Sequence, residues 1–255
     1  MGKDRVVEAF TELAASYEET MEEELRMLWD VDYQTFIERI TSLAAIEPGE
    51  RVLDVATGTA RIPAAVARAG GSRIRLVGLD ITWRMLAHGQ AQLRRTGDGA
   101  RVPFVCASAM AMPLASRSFD VVTCGLGMHH MDVPRALGQV HRVLADTGRL
   151  VLVTVGARRH WQAPGVRALM HGITFLYFKA QGQTARAQAE AATTSNIYTA
   201  AEWRDVLVDA GFTAIEVRRE FMPRHTWYPY GLVLKAKKGT SSKTRIEGQP
   251  KPRGT

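Results

Sequence analysis

Two neighbouring histidines, His129 and His130, follow the apolar run Phe119-Asp-Val-Val-Thr-Cys-Gly125. An imidazole placed there can take a proton from a phenol, a hydroxyl or an activated ring carbon, a service worth about 10²–10⁴ in rate. Neighbours in extended chain point to opposite faces. One of the two, with His129 preferred, is therefore expected to face a substrate. Asp80 ends a second apolar run, Ile74 to Leu79. A carboxylate only accepts hydrogen bonds, which suits it to the two hydroxyls of a vicinal diol. The small residues Ala56-Thr57-Gly58-Thr59-Ala60 follow a third run, Val52 to Val55, and let a ligand approach the backbone closely. His160, Trp161, His171, Phe175 and Tyr198 fall together further along. The histidine spacings match no zinc pattern and no cysteine or acid cluster accompanies them, so no metal is expected.

These residues need elements to position them. Val52–Val55 reads as a buried parallel strand, followed by a helix over Ala60–Ala69 that stops at Gly70-Gly71. Ile74–Leu79 reads as a second strand, with a helix from beyond Thr82 to about Arg94. An acid at the end of a second strand, after such a turn, is the arrangement that holds a ribose in mononucleotide-binding units. The same acid could instead cap the next helix, although Thr82 can take that cap. Strands are further expected at Val102–Cys106, Ser118–Gly125 and Arg149–Val155, with a helix over Pro134–Leu144. Residues 156–196 break this rhythm. Thr199-Ala-Ala-Glu202 is a capping box that opens a helix to Ala210, and Thr213–Arg219 and Tyr230–Lys237 close the pattern as strands. Ahead of it lie two expected helices, Asp4–Trp29 and Tyr33–Ile46. Glu18, Glu19, Glu22, Glu23 and Glu24 are taken as a solvated acidic face.

The stretch Leu53-Asp54-Val55-Ala56-Thr57-Gly58-Thr59-Ala60 resembles motif I of class I S-adenosylmethionine (SAM) dependent methyltransferases. It is especially similar to the ubiquinone/menaquinone biosynthesis C-methyltransferases, and departs from their pattern only at Ala60, where they carry glycine. Phe119-Asp-Val-Val122 and Arg142-Val-Leu-Ala-Asp-Thr-Gly-Arg-Leu150 resemble the same family and occur in its order. The resemblance implies a doubly wound, Rossmann-like α/β fold with a mostly parallel seven-stranded sheet, its last strand antiparallel. It implies an N-terminal helical cap over 1–47, and SAM as cofactor. Asp54, Ala56, Thr57, Gly58 and Thr59 would form the binding turn, Asp80, Ile81 and Thr82 the ribose site, and Ser108 and Ala109 the adenine site. The family commonly has an acid where Ser108 stands. Met110 and Met112 would flank the adenine, Tyr17 would stand near the methionine end, and Cys124 is a further cofactor-binding candidate. Arg61 either pairs with the SAM carboxylate or is solvated. His129 and His130 would be the catalytic base candidates. The 156–197 insertion reads as a lid whose His160, Trp161, His171, Phe175 and Tyr198 touch the acceptor. A structural helix pair, or a surface helix touching membrane, are its other readings. Quinone C-methyltransferases carry a Phe-Gly-Leu-Arg-Asn-like segment after the fourth strand, whereas this chain has Leu126-Gly-Met-His-His130, which leaves the acceptor open.

Composition narrows the classes. The chain has 255 residues, 46% of them hydrophobic, 23% charged, with net charge +7. It suits one domain over 1–237 and a flexible basic tail over 238–255. No run approaches the ~18 apolar residues of a membrane span. Met1-Gly-Lys-Asp-Arg5 is not a secretory signal, and Cys106 and Cys124 suit a reduced, cytoplasmic protein. The expected activity is methyl transfer to oxygen or carbon of a small apolar or aromatic metabolite. The expected partners are that acceptor, no nucleic acid, at most a weak membrane-surface contact, and a monomeric or homodimeric state. One alternative is a nucleic-acid or protein methyltransferase, favoured by the basic charge alone; the Asn/Asp-Pro-Pro-Tyr-type turn of amino-group enzymes is missing at Cys124–Met128. Another is a non-catalytic SAM-binding regulator. A dehydrogenase is disfavoured because the Gly-Xaa-Gly-Xaa-Xaa-Gly spacing is missing.

Overall fold

The computed structural model describes residues 3–70, 73–96, 102–226 and 228–239. Helices α1 (Lys3–Leu13), α2 (Tyr17–Trp29) and α3 (Tyr33–Ala44) lead into β1 (Arg51–Val55), α4 (Arg61–Gly70), β2 (Arg75–Asp80) and α5 (Trp83–Arg95). Then come β3 (Phe104–Cys106), β4 (Phe119–Gly125), α6 (Val133–Val143) and β5 (Leu144–Gly156). Two helices, α7 (Pro164–Ala180) and α8 (Thr184–Thr193), precede α9 (Ala200–Asp209), β6 (Phe212–Phe221) and β7 (Tyr230–Lys238). The strands form one seven-stranded sheet in the order β3-β2-β1-β4-β5-β7-β6. Only β7 runs antiparallel, between β5 and β6. The expected α/β, doubly wound architecture is therefore present. The central strands are apolar because both faces are covered: Val52, Leu53, Val55, Val121, Val122 and Leu150 are fully buried. The strand order reverses between β1 and β4, and that switch point opens at the carboxyl ends of the strands, where ligands bind in such sheets.

The N-terminal helix expected over Asp4–Trp29 is broken. The chain turns at Ala14–Ser16, with Ser16 N–H on the Leu13 carbonyl. The break has a packing reason. Phe10 and Tyr17 would lie about 10 Å apart along a straight helix, yet their rings approach to 6.4 Å across the turn and face the same space. The expected acidic face is also divided. Glu24 turns inward to pair with Arg186 of α8 at 2.6 Å, and Glu18 reaches Arg61 at 3.3 Å. β7 includes Lys238, one residue past the expected domain limit; residues 240–255, most of the predicted tail, lie outside the described residues. Among the described residues no helix is long and apolar enough to cross a membrane.

Candidate functional site

Three alternate residues of the turn after β1 take left-handed backbone: Ala56 (φ 54°), Gly58 (φ 53°) and Ala60 (φ 62°). Such φ values cost a side chain energy, and the fold over-determines them. Thr57 N–H bonds the Leu79 carbonyl of β2, and Ala60 N–H bonds the Thr57 carbonyl. Ala60 thus takes a left-handed backbone that glycine adopts more readily. Behind the turn, Asp54 accepts from the hydroxyls of Thr57 and Thr123, both at 2.7 Å. Burial raises its pKa to about 7 against the pull of those two hydroxyls.

Asp80 stands at the end of β2. One carboxylate oxygen accepts from Gly58 N–H at 2.9 Å and the other from Thr82 N–H at 2.8 Å. The acid therefore ties the turn to the start of α5, and the Thr82 side chain makes no capping bond. Each oxygen keeps accepting capacity for a diol. Burial raises the Asp80 pKa, and the backbone donors oppose it.

A cavity of about 690 Å³ opens here. Ala56, Gly58, Asp80, Ile81 and Thr82 line one side, Ala107, Ser108, Ala109 and Met110 the second, and Gly125, Leu126, Gly127 and His130 the third. Tyr17, Phe10 and Val6 of the N-terminal helices roof it. The lip at 107–114 is held from α6: Arg142 donates to the Leu114 and Met112 carbonyls at 2.7 and 2.9 Å, and Arg135 donates to Met110 at 3.1 Å. Ser108 Oγ accepts from Met110 N–H at 3.2 Å. The arrangement fits a nucleoside bearing an amino-acid arm: a carboxylate for the ribose at the switch point, a polar lip for the base, and a turn of small residues, Gly58 without a Cβ, for the arm. A Cβ on Gly58 would stand 3.3 Å from Met85 and 3.9 Å from Tyr17, on the cavity side.

Several expected cofactor residues stand elsewhere. Asp54, Thr57, Thr59 and Cys124 are buried at 1, 6, 2 and 0% exposure and are not part of this cavity's wall. They brace the turn from inside the sheet, and burial pushes the Cys124 thiol up to about 12. Met110 lines the cavity, whereas Met112 belongs to the core. Arg61 does not reach the cavity wall; it donates to Gln34 at 2.9 Å and lies over Tyr33.

A second cavity, of about 430 Å³, lies on the far side of Phe10, Tyr17, Leu126 and His130, which line both. Its wall is apolar over most of its extent: Met21, Leu25, Leu28 and Trp29 from α2, and Trp161, Met170, Ile173, Tyr177 and Phe178 from the insertion. Its polar corner holds His129, Glu24, Arg186 and Glu190. Of the expected acceptor residues, Trp161 lines this cavity and Tyr198 lines the first. His160, His171 and Phe175 line neither. His160 and His171 are exposed, the latter with its Nδ1 2.9 Å from the Ala191 carbonyl, and Phe175 lies under Lys179.

The two histidines do not alternate. Met128–His130 forms a 3₁₀ turn, which brings the rings onto one side with centroids 4.2 Å apart. Asn196 pins the turn by donating to the His129 and Met131 carbonyls. Burial lowers both imidazoles to about 3, with the Arg186 charge adding to the effect on His130. Both are neutral near pH 7, and both are weak bases. The acid that the local sequence lacks is supplied by α8: Glu190 approaches His130 Nε2 to 3.8 Å. Glu24, Arg186, Glu190, Asn196 and Phe10 carried no sequence signal as site residues, since each depends on α8 docking against α1.

Fold and site together define the class of SAM-dependent methyltransferases. Residues 1–163 match the ubiE/COQ5 methyltransferase family, and the chain belongs to that family. It is 32% identical over 156 residues to the ubiquinone/menaquinone biosynthesis C-methyltransferase UbiE of Klebsiella pneumoniae, covering 59% of each chain. The chain thus spans about three fifths of that relative's length. Among solved structures it resembles a SAM-dependent methyltransferase of Aquifex aeolicus, with TM-score 0.59, 16% identity, and 87 and 97% of the two chains covered. It also resembles phosphoethanolamine N-methyltransferase 2 of Haemonchus contortus solved with SAM, with TM-score 0.61, 15% identity, and coverage of 81 and 53%. SAM is the cofactor of this family.

Proposed function

We propose that the chain moves the methyl group of SAM, bound in the larger cavity, to oxygen or carbon of a small apolar or aromatic acceptor in the smaller one. The observation that carries this reading is the wall the two cavities share, Phe10, Tyr17, Leu126 and His130. Methyl transfer is an in-line displacement, and aligning nucleophile, methyl and sulfur is worth about 7–11 kcal/mol. Asp80, Ile81, Thr82, Gly58, Ser108 and Ala109 hold the cofactor in this reading. His129 and His130 present neutral ring nitrogens to the acceptor, and residues 156–197 act as its lid, with Trp161 against it.

The family match ends at residue 163, and α7 begins at Pro164. Most of the larger cavity's wall lies within the matched residues, whereas about half of the smaller cavity's wall, including Met170, Ile173, Tyr177, Phe178 and Glu190, lies beyond them. The relative's printed activity makes a quinone-precursor ring the first acceptor to test. A second reading concerns entry of such a molecule. Leu169, Ile173 and Leu176 of α7 are 61, 50 and 64% exposed, and Lys179 follows them, a composition that suits weak contact with a lipid surface.

The test is release of S-adenosylhomocysteine (SAH) from SAM over a panel of apolar quinols, phenols and ring enols, set beside RNA and protein substrates. Turnover of a panel member is expected, and turnover confined to RNA or protein would overturn the reading.

A further inference from the structure

The geometry points to a divalent metal site formed by His129, His130 and Glu190. One ring nitrogen from each histidine and one Glu190 carboxylate oxygen lie within 4.8 Å of one another. Two of the three come from the 3₁₀ turn after β4 and the third from α8. Nδ1 of both histidines is buried and without a hydrogen-bond partner. Such orphaned polar atoms are costly and call for an explanation; on His130 the nitrogen that faces Glu190 is Nε2, at 3.8 Å.

Charged side chains of both signs surround the three ligands. Arg186 lies 3.7 Å from Glu190, and Glu24 offsets its charge at 2.6 Å. Asn196 fixes the backbone of the histidine turn, the kind of outer support that metal ligands need.

Two imidazoles and one carboxylate favour a borderline ion such as Zn²⁺, Co²⁺, Fe²⁺ or Ni²⁺ over Mg²⁺ or Ca²⁺. Three protein ligands leave a coordination position open, as catalytic sites do and structural ones do not. His130 belongs to the wall shared by the two cavities, so an oxygen of the acceptor is the group that would fill it. This assignment of the open position rests on the acceptor reading above; the binding of the ion does not.

The experiment uses the untagged, chelator-stripped chain without acceptor, titrated with Co²⁺ and followed by visible absorption. One equivalent of Co²⁺ is expected to give ligand-field bands that Zn²⁺ displaces. His130→Ala and Glu190→Gln are expected to weaken Co²⁺ binding at least tenfold, and His88→Ala, a histidine of α5 outside the three-residue group, to leave it unchanged. SAH binding by each variant confirms the fold. X-ray absorption of the wild-type Co²⁺ complex gives a readout that needs no variant, with imidazole nitrogen and carboxylate oxygen expected around the ion. An absence of bands, unchanged binding in His130→Ala and Glu190→Gln, or an all-oxygen shell would overturn the site. Because no acceptor is present, each of those results leaves the acceptor reading standing.

Discussion

Asp80 ties the turn, through Gly58, to the start of α5, through Thr82, and in the proposed reading it holds the ribose diol between them. Asp80→Asn removes the charge and one acceptor while keeping the shape. A hydrogen bond to a charged group contributes about 1.5–3 kcal/mol, so the SAH dissociation constant should rise about 10- to 100-fold. Calorimetric titration measures it, and an unchanged constant would remove Asp80 from the ribose site. Gly127 forms the opposite wall, where an added Cβ would come within 2.3 Å of the Ala56 Cβ. Gly127→Ala should therefore push the turn, costing about 1–3 kcal/mol of stability and lowering SAH affinity with it. The sequence placed Asp80 at a strand end and Gly58 in a tight turn, because both features have a local pattern. It misled at Cys124, Thr57 and Thr59, since ligand-facing and sheet-facing residues of one turn differ only in backbone φ. Glu24 and Glu190 were not readable at all. Helical spacing gives a phase, and which glutamates of α2 turn inward is decided by Arg186 on another helix.

The elements divide the work. β1, β2, β4 and their turns line the larger cavity, while α1, α2, α7 and α8 line the smaller one. Most strands and helices from Arg51 to Val155 were legible, because buried parallel strands alternate with amphipathic helices and Asp80 and Gly70 mark their ends. The break between α1 and α2 was not. Its sequence, Leu13-Ala-Ala-Ser16, favours continued helix, and tertiary packing of Phe10 and Tyr17 overrides it. The Thr199–Glu202 capping box was read correctly, and both of its reciprocal hydrogen bonds are present. Thr199→Ala should cost about 1 kcal/mol, visible as a lower urea midpoint. The separation of the two cavities gives a sharper expectation. Met170 lines only the smaller one, so Met170→Trp, which fills it, should raise the acceptor KM and leave SAH affinity as it was. A parallel loss of SAH affinity would show that the cavities are not independent.

For the whole molecule, the buried histidine pair ties stability to pH. Both imidazoles sit at about 3 in the fold, against about 6.5 in an unfolded chain. Below that value the unfolded chain binds more protons, so stability falls as pH drops from 7 toward 3. Each histidine should contribute a loss of about 2 kcal/mol between pH 7 and 5. Asp54 and Glu24, raised to about 7 by burial, act in the opposite sense as pH rises from about 4 to 7. The comparison that isolates the histidine effect is wild type against His130→Gln. Urea unfolding of metal-free protein at pH 7 and 5 should show the wild type losing about 2 kcal/mol more than the variant; equal losses would contradict the neutral, buried placement of His130. The central claim, that the larger cavity holds SAM through Asp80, is tested most directly by melting the protein with SAH and, separately, with NAD. At ~100 times its dissociation constant, SAH should stabilise by ~2.7 kcal/mol, a rise of several degrees for a chain of this size. The account predicts that rise with SAH, none with NAD, and its loss in Asp80→Asn at the same ligand concentration. A folded wild-type protein whose melting temperature does not move with SAH would contradict it.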